Sequence, residues 1–122
     1  MAIRVKRVYD EPSANDGLRI LVDRLWPRGL TKAKARIDFW AKSISPSNEL
    51  RRWYSHEPDK WEEFRVRYIR ELEENLMAAG ELREKIGDQT VTFLYSSKEE
   101  RLNNAVALKE YFERNQGQIF QP

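Results

Sequence analysis

Residues 18–29, LRILVDRLWPRG, set a short aliphatic run directly against charge. Leu18, Ile20, Leu21 and Val22 read as a short strand buried on both faces. Asp23, Arg24 and Arg28 then arrive within six residues, interleaved with Trp26, Pro27 and Gly29. Open α/β domains place their sites in this way, in loops at the carboxyl ends of buried strands. The stretch therefore points to where something binds and to its charge, without naming a reaction.

The rest of the chain supplies the partners such a strand needs. Ile3-Arg4-Val5-Lys6-Arg7-Val8-Tyr9 alternates apolar and basic residues, as a strand with one buried face does. DEPSANDG (10–17) is a loop, and its Asp16-Gly17 pair predicts a hairpin that makes the first two strands antiparallel neighbours. Thr31 is an N-cap for a short helix over 32–35 or 36, and 37–44 alternates as an extended segment. Ser47 caps a second helix over 48–54, with Glu49 in its first turn. Pro58 opens a long helix whose Trp61, Phe64, Tyr68, Leu72 and Leu76 recur at helical spacing, with Gly80 as its breaker. TVTFLY (90–95) is the clearest strand and belongs at the centre of the sheet. Ser97-Lys98-Glu99-Glu100 fits a capping box opening a helix with Leu102, Ala105, Leu108 and Phe112 inside, and 116–122 reads as a tail. This order predicts one α/β domain over 1–122, a sandwich with a small mixed, mainly parallel sheet of about four strands flanked by helices.

Composition narrows the chemistry. The chain has no cysteine and one histidine, which removes disulfides, thiolate nucleophiles, and Cys-based or multi-His metal sites. It shows no apolar run of ~18 residues and no signal-peptide core, so the cytoplasm is the expected compartment. Dinucleotide, Walker, zincin and nucleophile-elbow motifs are absent, no cofactor is indicated, and no carboxylate spacing marks a metal. Net charge is +2, yet residues 1–54 hold 12 Lys and Arg against 6 Asp and Glu, whereas 55–122 hold 10 against 14. Arginine dominates the basic half, and its planar fork suits phosphate and carboxylate.

Three segments would meet at one sheet edge: the loop after the second strand, the Pro46-Ser47 helix start and the Ser96-Ser97-Lys98 turn. Arg24, Arg28, Arg51 and Lys98 would bind an anion there, aided by Ser47 and Ser97 at helix N-termini. Trp26 or Trp53 would pack on the organic part of the ligand, or else serve the core. Asp23 and His56 are the candidates for proton handling, His56 being the single imidazole. As structural alternatives, Asp23 pairs with an arginine, and His56 is a surface loop residue.

The segments DGLRILVDRLWPRG, SPSNELRRWYSHEPDKWEEFRVRYIREL and TFLYSSKEERLNNAVALKEYF resemble the YeaO-like family, domain of unknown function 488. The resemblance spans nearly the whole chain and falls on Asp23, Arg24, Trp26, Pro27, Arg28, Gly29, Pro46, Ser47, Leu50, Arg51, Trp53 and His56. It implies an α/β fold and a prokaryotic, intracellular protein, and supplies no established activity. Where the family commonly has Asn-His-Ala, this chain has Asn103-Asn104-Ala105. A catalytic role for that histidine would be impaired here; a supporting hydrogen bond would survive the change to Asn.

Three readings follow. The first is a domain that binds or processes a small anionic, phosphorylated or nucleotide-like ligand. The second is nucleic-acid binding through the basic half, disfavoured by the near-neutral total charge and the lack of a Lys/Arg run. The third is a protein–protein module, most simply a homodimer.

Overall fold

Five consecutive residues of the last strand, Val91 to Tyr95, are buried, so this strand must be flanked on both edges and covered on both faces. The computed structural model, which describes residues 1–114, shows that arrangement. Strand β4 (Thr90–Tyr95) lies between β1 (Ala2–Arg7) and β2 (Leu18–Leu21), and the short β3 (Phe39–Trp40) pairs with the far edge of β2. The order is β1-β4-β2-β3, and every pairing is parallel.

The expected hairpin between the first two strands does not form. β4 separates them, and the connection after β1 returns across a sheet face to start β2 in the same direction. A capped 3-10 turn, Ala14–Asp16, takes the place of a helix in that return. Ser13 Oγ accepts from Asn15 N, and Asp16 Oδ2 accepts from Ser13 N. Thr92 Oγ1 donates to Asp16 O at 2.7 Å, seating the turn on β4.

Side-chain alternation divides the core. Ile20, Val22, Val91, Phe93 and Tyr95 enter the larger cluster, whereas Leu21 and Leu94 join Val8, Ala35 and Ile37 in the smaller one. The smaller face is covered by α1 (Lys32–Ala35), capped by Thr31, and by Trp26 against Trp40 at 5.3 Å. On the larger face lie α2 (Asn48–Tyr54), α3 (Trp61–Glu73), α4 (Leu76–Ile86) and α5 (Asn104–Arg114). Among the described residues no helix is long and apolar enough to cross a membrane.

Three local expectations change. The 37–44 segment is extended only at Phe39–Trp40, then tightens into the 3-10 turn Lys42–Ile44. The long helix ends at Glu73 rather than at Gly80, which sits inside α4. There Asn75 adopts φ −131° and its Nδ2 donates to Ser43 O. This turn directs Ala79, Leu82 and Ile86 to the core and leaves Leu76 48% exposed. Finally, α5 starts seven residues after Ser97: Asn103 Oδ1 caps it by accepting from Val106 N at 3.0 Å. Ser97 Oγ instead accepts from Glu99 N within the preceding turn. Residues 116–122, read as a tail, lie outside the described residues.

Candidate functional site

β2 and β4 are parallel neighbours, so the chain leaves both at the same edge of the sheet. It leaves β2 through Val22 and Asp23, and β4 through Ser96. Asp23 Oδ2 accepts from Ser96 N at 2.9 Å and from Ser96 Oγ at 2.7 Å. Asp23 Oδ1 accepts from Asn104 Nδ2 at 3.0 Å, and the same nitrogen donates to Val22 O at 2.8 Å. Trp40 Nε1 closes the set on Asp23 O. One carboxylate thus joins the ends of two central strands to the start of α5.

Beside this hub opens a cleft of about 350 Å³. Arg24 reaches over from the β2 loop and donates to Ser45 O at 2.7 Å and Pro46 O at 3.1 Å, tying that loop to the approach of α2. α2 contributes Arg51, Arg52 and Tyr54 to the lining. Tyr54 stacks on Phe64 with centroids 4.3 Å apart, and its hydroxyl donates to Leu102 O. Burial, with Glu99 nearby, pushes this phenol above its ordinary range. Ser55 and His56 are both left-handed (φ 48° and 56°), an uncommon pair for non-glycine residues. They turn the chain after α2 so that His56 Nδ1 lies 3.5 Å from Ser97 Oγ. The Arg101 and Leu102 N–H groups hold the neighbouring Glu99 carboxyl below its usual range.

The structure brings together Asp23, Arg24, Arg51, His56 and Ser97 from the sequence-derived set. The others lie elsewhere. Arg28 and Lys98 are exposed and do not line the cleft. Trp26 donates its indole N–H to Leu30 O and packs on the smaller core cluster. Trp53 packs against the larger one, with the Arg67 and Lys60 cations 4.3 and 5.1 Å from its ring centroid. Among the described residues Asp23 forms no ion pair with an arginine; its carboxylate is held by Ser96 and Asn104.

Ser47 does cap α2, but its polar groups already have a carboxylate. Glu71 of α3 accepts from Ser47 N at 2.9 Å and from Ser47 Oγ at 2.6 Å. A side chain of the protein therefore meets the anion preference of this helix end. Removing it as Glu71→Ala should lower unfolding free energy by about 1–2 kcal/mol, measured by urea titration. A change within error would mean the contact contributes no net stability.

Sequence reasoning placed the segments of Pro46 and Ser96 at this edge but missed Leu25, Arg52, Tyr54, Ser55, Phe64 and Asn103 as lining residues. Ser96 carried a usable signal, being the first residue past a buried strand. Arg52 carried none, since nothing in the sequence tells which of two adjacent arginines faces a cleft.

Fold and cleft define a class: a parallel α/β domain with an arginine-lined cleft at the carboxyl ends of its central strands. The chain belongs to the YeaO-like DUF488 family. The family model described as the inactive DUF488-N3 subclade matches residues 2–118. The uncharacterised protein YeaO of Escherichia coli K12 is 41% identical over 111 residues, covering 91% of this chain and 96% of that one. Uncharacterised proteins of Mycobacterium tuberculosis H37Rv and Mycobacterium bovis are each 40% identical over 108 residues, covering 88% of this chain and 91% of theirs. No solved structure matches the chain.

Proposed function

We propose that this domain binds a small organic anion in the Arg24–Arg51–Arg52 cleft and does not transform it. The carrying observation is Arg51. It lines the cleft, yet its buried Nε makes no hydrogen bond with the described residues. Among the described residues its guanidinium has one hydrogen bond, a long one of 3.4 Å from Nη2 to Asn48 Oδ1. Buried guanidinium nitrogens normally have partners, and carboxylate or phosphate oxygens are the partners they fit. Of the three arginines in the lining, none has a carboxylate within ion-pair distance among the described residues. Asp23 is the single carboxylate there, already bound by three donor contacts. The apolar Leu25, Pro46 and Phe64 offer contact for an organic portion.

Two features support binding without turnover. Ser97 Oγ accepts a backbone N–H and sits at the outer limit of hydrogen bonding to His56, a loose pairing for a nucleophile and base. The matching family model is also described as inactive, and Asn104, which cannot shuttle protons, occupies the place beside Asp23.

The test is a thermal-shift and calorimetric panel of inorganic phosphate, nucleotides, sugar phosphates and small carboxylates. A ligand at about 100 times its Kd should stabilise by about 2.7 kcal/mol, or roughly 10 °C for a domain of this size. Arg51→Ala should abolish that shift and alter the unliganded melting temperature by about 2 °C or less, given its single long contact. The ligand should be recovered chemically unchanged after prolonged incubation. Turnover would overturn the non-catalytic half of the proposal; a panel with no binder would overturn the anion half.

A further inference from the structure

We infer that the ligand of this cleft is a hydroxylated anion, one that donates hydrogen bonds to Asn104 and Asp23 while its charge meets the arginines; this rests on the anion-binding reading above. The orientation of the Asn104 amide carries it. Its Nδ2 donates to Val22 O and to Asp23 Oδ1, at 2.8 and 3.0 Å. The Val22 carbonyl can only accept, so chemistry settles which end of the amide is nitrogen. Both amide protons are thereby used. Asn104 lines the cleft, and its Oδ1 accepts nothing from the described residues.

Asp23 Oδ1 is in a similar position. Among the described residues it receives only the Asn104 bond, whereas a carboxylate oxygen takes about two. The cleft thus holds two kinds of unfilled capacity. α2 brings donors, the Arg51 and Arg52 guanidiniums, and the β2–α5 junction brings acceptors, Asn104 Oδ1 and Asp23 Oδ1. A phosphate or carboxylate satisfies the first, and hydroxyl groups satisfy the second. A neutral hydroxyl fits better than an ammonium, because three guanidiniums line the same space. An alkyl anion would take water from both acceptors and return no hydrogen bond.

Calorimetry on matched pairs tests this: ribose 5-phosphate against pentyl phosphate, and gluconate against hexanoate. In the pair whose anion binds, the hydroxylated member should bind at least about tenfold more tightly. Asn104→Ala should reduce that preference to about threefold or less and leave the alkyl member's affinity within about twofold. If Asn104→Ala does not fold, the wild-type ratios decide alone. Alkyl anions that bind as tightly as their hydroxylated counterparts, and lose affinity in Arg51→Ala, would overturn the inference while the anion site stands. A preference that survives intact in Asn104→Ala would also overturn it. Failure of all four anions to bind would remove the anion site itself, and this inference with it.

Discussion

Gly17→Ala should be the most damaging single substitution in the chain, lowering unfolding free energy by more than about 4 kcal/mol. A methyl group there would stand 2.7 Å from Thr90 C and 2.9 Å from Thr90 Cβ, and closer still to the Thr90 carbonyl oxygen. These atoms belong to the central strand, whose backbone cannot retreat without breaking its pairing with β1 and β2. Gly17 also has φ 65° with ψ −138°, a conformation that side chains resist. Gly29 provides the control. Its φ is 76°, but nothing lies within 4 Å of an added methyl, so Gly29→Ala should cost only about 1–2 kcal/mol. Urea titrations of the two variants separate crowding from conformational strain; equal losses would show that the close approach to Thr90 is unimportant. The approach matters beyond stability. Gly17 lets β2 start against β4, and that register carries Asp23 and Ser96 to the same edge.

Asp16→Ala follows, with an expected loss of about 3–5 kcal/mol, because it strips the charge partner from a buried arginine. Arg19 is 3% exposed, and its Nη1 donates to Asp16 Oδ2 at 2.6 Å. Its remaining donors reach the carbonyls of Ala35 and Arg36, so the guanidinium holds the β1–β2 connection and the end of α1 together. Burial raises the Asp16 pKa, but the Ser13 N–H, Arg19 and Lys6 outweigh it and hold the carboxyl below its ordinary value. The sign of the pH effect follows. A carboxyl with a lowered folded-state pKa stabilises above its unfolded value, and that stability is lost as pH falls through the folded one. The stability gap between the wild type and Asp16→Asn should therefore be widest near neutrality and narrow below about pH 4. A gap constant down to about pH 2 would show that ionisation of Asp16 contributes nothing to the fold.

What could be read from the sequence was local. The aliphatic run of β2, the β-branched and aromatic residues of β4, and the Thr31 and Ser47 caps each depend on residues close together in the chain. Short-range sterics and hydrogen bonding decide such features wherever the segment ends up. The same holds for the α3 stripe through Leu72. It failed at Leu76, because the helix ended where Asn75 found a carbonyl 32 residues earlier in the chain. The Ser97 box failed for a related reason. The S-x-x-E spacing was present, but Glu99 took the N–H groups of Arg101 and Leu102 and delayed the helix to Asn104.

The candidate site was half legible on the same terms. That charge gathers past β2 was visible, as was the presence of Arg24, Arg51, His56 and Ser97 near strand and helix ends. Which arginines share a cleft depended on strand order. Parallel insertion of β4 between β1 and β2 placed Ser96 and Asn104 on the Asp23 carboxylate, contacts spanning more than 70 residues of chain. Nor does composition reveal that the positive end of α2 is already taken by Glu71, or that Trp53 packs on the larger core cluster beside the Arg67 and Lys60 cations, away from the cleft. By itself, the sequence determined the class of fold, most of the elements and the sign of the charge at one edge, because propensity, capping and hydrophobic period act over a few residues. Only the tertiary structure decided which side chains meet and which hydrogen-bonding capacity stays unfilled, because those depend on the register and order of strands brought together from distant parts of the chain.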